Sequence, residues 1–401
     1  MAETTRTLRY RGRIEQIGIF LAKQLRMFVY QSDWKFLPMA VVIAGLVSLV
    51  VRNDFFQTME GTLKGALALS CVAIWNGCFN SVQVVCRERE IVKREHRAGM
   101  HISSYIISHM LYQALLCLVQ SALTIFVCTR MGIKFPKAGV MTHFMVLDIG
   151  ITVFLISYAT DMIALWISCL VHTTTAAMSI MPFLLIVQFV FSGGVFTLPQ
   201  WSNGLSKLMV SNYGVKCIAA QADYNNLPMA TAWSTVEKLE ETKVPIEFTL
   251  GEAANALSAD KDNPMVQAIR AARFGDVADV LFAALEVKNP EEVMLMLSLS
   301  GLGRDTPVGE IADRIASSDY VAKNGDKEFS FTLTIGEMVD MVGRDRVKEF
   351  LQNEAAATHR KAYYEQSRKN IGSFWWSFAA FILVFGAMSV ITLEFIDKDK
   401  R

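Results

Sequence analysis

Charge is what this sequence has least of. Asp, Glu, Lys and Arg make up 19% of its 401 residues, while 52% are hydrophobic, a balance that points away from an ordinary soluble domain and towards a membrane protein. Recognisable active-site patterns are missing too. No GxxxxGK[ST] loop is present to cradle a nucleotide, and there is no GxSxG elbow, HExxH helix or paired-cysteine zinc pattern. His96, His101, His109, His143, His172 and His359 are scattered without ligand spacing. The seven cysteines (Cys71, Cys78, Cys86, Cys117, Cys128, Cys169 and Cys217) lie in or beside apolar runs, none of them in a CxxC pair and none within Ile218–Asn370. That pattern is not a disulfide framework; it suits small apolar side chains packed between helices. The expectation is a chain with no catalytic residues, no metal site, no nucleic-acid surface and no cofactor of its own. The basic N-terminus has no short apolar core with a small-residue cleavage site, so it does not read as a signal peptide.

What the chain does have is length in its apolar runs. Six of them, near Phe36–Val51, Gly65–Val85, Ile102–Cys128, His143–Val171, Thr174–Leu198 and Phe374–Phe395, approach the roughly 20 residues that cross a bilayer. The net charge of +1 hides an asymmetry: Ile218–Asn370 carries a net −8 and the rest of the chain +9. Lys and Arg number 15 in Met1–Lys35, Cys86–His101 and Lys398–Arg401, against five in the alternate short connections. The positive-inside rule then puts both termini and the 86–101 segment in the cytoplasm of a multi-pass cell-membrane protein, with the acidic region outside. The predicted fold is mainly α. An N-terminal segment (1–35) precedes a six-helix membrane bundle (36–217 and 371–401), and a small, mostly helical extracytoplasmic domain (218–370) lies between spans five and six.

Ile14, Ile17, Leu21, Leu25 and Phe28 recur at helical spacing before the first run and predict an amphipathic helix along the membrane surface; the alternative is an ordinary soluble helix. After the fifth run, Gly193, Gly194 and Pro199 interrupt the pattern and predict a re-entrant or interfacial turn over 198–217. The acidic region holds a weak repeat: GEAANAL (251–257), GDVADVL (275–281), GEIADRI (309–315) and GEMVDMV (336–342). An acid after glycine suits the first turn of a helix, and the irregular spacing excludes a solenoid.

Between the second and third runs the sequence turns abruptly polar. Arg87, Glu88, Arg89, Glu90, Lys93, Arg94, Glu95 and Arg97 crowd into one short stretch. It cannot enter lipid, so it forms a polar element at the surface, stiffened by i,i+4 pairs such as Glu90 with Arg94. A solvated loop that only signals topology is the competing reading, and it does not need the acids. Inside the runs, Asn76, Asn80 and Gln83 share one face of the second helix, Gln113 and Gln120 one face of the third, and Gln188 lies in the fifth. Polar groups at such depth face protein or water. Asp161 sits well inside the fourth run and is assigned a structural role, paired with a cation or polar group on a neighbouring helix or placed near the cytoplasmic boundary, while Asp148 lies near the outer end, within reach of water.

Glu88-Arg89, Arg94-Glu95, Gly99-Met100 and Ser103-Ser104-Tyr105, taken in order, resemble the signature of ABC transporter permeases of the ABC-G, or type-2 exporter, family, with His101 where that family usually has Tyr. The resemblance takes in the amphipathic helix, the six spans and FSGGVFTLP, and leaves the outer domain uncovered. It implies that residues 86–101 form a coupling helix seated on an ATP-binding subunit, with Glu88, Arg89, Glu90, Arg94, Glu95 and Arg97 as coupling residues. ATP and Mg would be held by that partner. It also implies a second permease subunit and a central path to which Asn76, Asn80, Gln188 and Phe191 contribute; interhelical hydrogen bonding is the equal alternative for these four. The expected function is an exporter permease working by alternating access among membrane lipids. The alternative is a transmission device whose outer domain regulates an external partner, and a standalone channel is a third reading.

Overall fold

The computed structural model describes residues 12–30, 33–194, 202–249, 251–252, 255–256, 264–284, 287–316, 326 and 328–395. Residues 1–11, the 396–401 tail, the end of the predicted fifth span and the start of the turn at 198–217 lie outside them. The chain is mainly helical and separates into two compact units, Met1–Leu227 with Arg360–Arg401, and Pro228–His359. Residues 218–227 and 360–370 thus belong to the first unit.

In the first unit α1 (Arg13–Tyr30) precedes α2 (Phe36–Val51), α3 (Met59–Ser81), α4 (Val84–Arg97), α5 (Ile102–Arg130), α6 (Met145–Leu170), α7 (Thr174–Val190), α8 (Val210–Gln221) and α16 (Arg368–Glu394). Among the described residues, four helical stretches are long and apolar enough to cross a membrane: Met59–Arg97, which joins α3 to α4, Ile102–Arg130, Met145–Leu170 and Arg368–Glu394. The apolar helices α2 and α7 are shorter, at 16 and 17 residues.

Helix α6 is the centre of the bundle. It buries residues all round, from Met145 to Cys169, and packs on α3 where Gly77 removes the side chain: a Cβ there would strike the Ser157 carbonyl, the close approach that small residues allow between membrane helices. Two indole N–H groups join α6 to α16, Trp375 donating to Thr152 Oγ1 at 2.9 Å and Trp166 to Thr392 Oγ1 at 3.2 Å. Asp148 is fully buried rather than water-facing, and its carboxylate accepts the backbone N–H groups of Val140, Met141 and Thr142 at 2.7–2.9 Å. Asp161 is also fully buried. Its polar neighbour is Ser81 of α3, and neither carboxylate oxygen has a hydrogen bond of normal geometry.

The second unit holds α9 (Ala230–Leu239), β1 (Lys243–Thr249), α10 (Pro264–Arg270), α11 (Phe274–Ala284), α12 (Pro290–Leu299), α13 (Val308–Ala316), β2 (Glu328–Thr334), α14 (Ile335–Val342) and α15 (Arg344–Thr358). The two strands pair antiparallel, Lys243 opposite Thr334 and Thr249 opposite Glu328, and Trp233, Val339 and Val347 form a small core. The glycine repeat marks helix starts. Gly275, Gly309 and Gly336 are each the second residue of their helix, followed by Asp276, Glu310 and Glu337. The residue four after each glycine is an Asp bound to an arginine: Asp279 to Arg304, Asp313 to Arg270 and Asp340 to Arg344. After each strand the same cap recurs. Thr249 with Glu252, and Thr334 with Glu337, exchange side-chain-to-backbone bonds in both directions, the reciprocal arrangement of a capping box. Residues 253, 254 and 257 of the first copy lie outside the described set.

Candidate coupling surface and interior polar sites

The polar segment forms α4, and its two faces differ. Arg87, Glu90, Ile91, Arg94 and Arg97 are exposed, at helical spacing along one side, while Val85, Cys86, Glu88, Arg89 and Val92 are buried on the other. The six residues predicted for coupling therefore divide. Glu90, Arg94 and Arg97 face outward, Glu88 and Arg89 face inward, and Glu95 is half-buried. Glu90 reaches Lys93 at 3.7 Å rather than Arg94, so the stiffening pair is i,i+3.

The inward face is fastened by hydrogen bonds to α6 and α5 and by an ion pair to α1. At its start, Ser168 Oγ of α6 accepts both the Val85 and Cys86 N–H groups, at 3.0 and 3.2 Å. These are first-turn donors with no intrahelical partner, capped by a residue from a different helix. One turn on, Arg89 returns the favour to α6 by donating to the Cys169 and Val171 carbonyls, at 2.9 and 3.3 Å. A guanidinium at a helix C-terminus meets both orphan carbonyls and the negative end of the helix dipole. Glu88 accepts the Tyr105 hydroxyl at 3.3 Å and faces Lys23 of α1 at 3.5 Å.

The end of α4 explains Gly99-Met100. Gly99 has φ +103°, its N–H donates to His96 O, and Met100 N–H donates to Glu95 O. This is the Schellman arrangement, in which the first residue past the cap takes the left-handed conformation that glycine adopts freely. Helix α1 then holds the α4–α5 turn: Gln16 donates to Gly99 O at 3.3 Å and accepts from His101 N–H at 2.9 Å. Phe20 packs edge-on against Tyr105, and Gln24 donates to Ser108 Oγ. Ile17, Leu21 and Phe28 turn towards the bundle, whereas Ile14 and Leu25 of the predicted apolar face stay exposed.

The predicted cavity residues fall into separate places. Asn76 is buried in α3. Asn80 exchanges two hydrogen bonds with Gln120 of α5, at 2.8 and 3.0 Å, and its carbonyl accepts from Gln113. Gln188 accepts the Ser211 N–H at 3.1 Å and so caps the start of α8, and Phe191 is half-buried just past the end of α7. Gln188 also lines a cavity of about 560 Å³ between α6, α7 and α16, whose wall includes Trp166, Lys207, Tyr213, Phe381 and Phe385. Sequence reasoning found neither Ser168 nor Lys207. Ser168 looks like any small residue in a membrane helix, and Lys207 stands alone in a mixed segment. Tyr105 was visible within the motif, and its bond to Glu88 shows why the two occur together.

The family model for the ABC-2 type transporter matches residues 15–220, just over half of the chain. The chain belongs to the ABC-2 type transporter family. The matched region takes in α1 through nearly all of α8, including the whole of α4. The chain is also similar to an ABC transporter ATP-binding/permease protein of Mycobacterium tuberculosis, 24% identical over 190 residues, which is 45% of this chain and 22% of that protein. This ABC-2 chain is a membrane component of a transporter, with several helices suited to a bilayer.

Proposed function

We propose that this ABC-2 chain is the permease subunit of an ABC exporter, driven by separate ATPase subunits that dock on the exposed face of α4. One observation carries the reading: α4 presents Arg87, Glu90, Ile91 and Arg94 outward while Glu88, Arg89 and Ser168 tie its other face to the bundle. A helix gripped this way passes a push to α1, α5 and α6 instead of bending away from it. Ile91, 41% exposed, supplies an apolar anchor between charges, the composition of an interface centre with a polar rim.

In this reading ATP and Mg reside on the ATPase partner, and its closure tilts two permease subunits from inward-open to outward-open, moving substrate outward. The second subunit would cover α7, which buries only Ala177, Met181 and Gln188 and turns Phe183, Ile186 and Phe189 outward. Helices α2 and α7 complete six spans, with both termini cytoplasmic and the acidic domain outside, as the lysine and arginine distribution supports.

The test is substitution on the outward face. Glu90→Arg and Arg94→Glu, with the native ATPase present, are expected to keep complex expression but separate ATP hydrolysis from transport. Normal coupling in both variants would overturn the assignment of α4.

A further inference from the structure

The cavity between α6, α7 and α16 has a composition that the transport reading does not use. Its wall is apolar and aromatic, with Trp166, Tyr213, Phe381 and Phe385 contributed by three helices, and a single ionic side chain, Lys207, at its edge. No Asp or Glu occurs anywhere between Asp161 and Asp223 in the sequence. Among the described residues, no ion pair is found for Lys207, and its side chain is exposed.

The apolar wall reaches the middle of a membrane-length helix. Phe381 is the middle residue of α16, with 13 residues on either side of it, about 20 Å from each end at the helical rise. Lys207 precedes α8, whose start Gln188 caps, and its side chain borders the same cavity as Phe381. An ammonium bordering an apolar wall is favoured where it reaches water or meets an anion. The cavity volume of about 560 Å³ lies within the roughly 300–1,000 Å³ typical of small-ligand sites.

We propose that this cavity holds an acyl chain of an anionic phospholipid, with the lipid phosphate paired to Lys207 and the chain packed among Trp166, Phe381 and Phe385. Charge complementarity selects the anionic lipid over a zwitterionic one: the site offers one cation and no acid. The site lies on one subunit and needs neither nucleotide nor transport, so it stands apart from the exporter reading and is tested without it.

The experiment is native mass spectrometry of the full chain reconstituted with equal phosphatidylglycerol and phosphatidylcholine, then stripped in mild detergent. Wild type is expected to retain phosphatidylglycerol in preference, by about fivefold, the contribution of one lysine near anionic lipid. Lys207→Gln is expected to lose that preference and Lys207→Arg to keep it, which separates loss of charge from misfolding. Ala380→Trp, at an exposed position on the cavity wall, fills the space and is expected to abolish retention of both lipids. Equal retention of the two lipids by wild type, an undiminished preference in Lys207→Gln, or lipid retained by Ala380→Trp would each overturn the proposal.

Discussion

Arg89 on α4 donates to the carbonyl oxygen of Cys169, at the end of α6, at 2.9 Å. The charged segment that looks built for an outside partner is thus half committed to its own bundle. Ser168, one residue before Cys169, caps the start of α4, so the two helix ends satisfy each other's unpaired groups.

That junction predicts different outcomes for neighbouring substitutions. Arg89→Ala removes a buried bond to the Cys169 carbonyl and a part-buried one to Val171 and is expected to destabilise the bundle by roughly 1–3 kcal/mol. Ser168→Ala removes a helix cap, at about 1 kcal/mol. Arg94→Ala, on the exposed face, is expected to leave stability within about 0.5 kcal/mol of wild type. Thermal unfolding in detergent, followed by tryptophan fluorescence, separates the three. Equal losses for Arg89→Ala and Arg94→Ala would contradict the two-faced reading.

The Schellman turn at Gly99 gives a second expectation. With φ at +103°, a side chain there adopts a left-handed conformation at a cost of about 1–2 kcal/mol. Gly99→Val is expected to fray the end of α4, read as faster amide exchange at Met100 with the start of α4 unchanged. Unaltered exchange at Met100 would show that the turn does not depend on glycine.

The motif was legible as a unit because its members are locally joined. Glu88 binds Tyr105, Gly99 and Met100 form the turn between them, and a charge run between apolar runs has to leave lipid. The direction each charge faces was not legible. Glu88 and Glu90 are the same residue type two positions apart, and only the contacts with Lys23, Tyr105 and Ser168 place one inside and the other out. The helical class and the long apolar helices followed from composition and run length. Asp148 was misjudged because the three N–H groups that hold it come from a loop whose path no periodicity encodes. The cavity and Lys207 escaped for the same reason: they depend on where residues 202–209 return.

The reciprocal pair Asn80 and Gln120 predicts coupling between α3 and α5. Asn80→Ala leaves a buried Gln120 amide without its partner, whereas Asn80→Ala with Gln120→Leu removes both. A double-mutant cycle is expected to give an interaction of about 0.6–1.7 kcal/mol, the range for polar contacts between membrane helices. A value near zero would leave Asn80 free to serve the translocation path instead.

In the acidic domain, the Thr334 N–H and hydroxyl hold the Glu337 carboxyl below its ordinary value of 4.5. A carboxylate stabilised in the folded state contributes fully above its unfolded pKa and loses that contribution as pH falls through the folded one. Protection of α14 against amide exchange is therefore expected to be flat from neutral pH to about 5 and to decline below about 4.5. Glu337→Ala should remove that part of the decline. An unchanged pH profile in the variant would show that the cap does not set it.

The most direct test of the central claim is cysteine crosslinking from α4 in membranes containing the native complex. Cysteine at Ile91 or Arg94, on the outward face, is expected to crosslink to a P-loop ATPase subunit, with the yield changing on addition of ATP. Cysteine at Val92, which is fully buried, is the internal control and should not react. Efficient crosslinking to an ATPase from both faces, or from neither, would contradict the account.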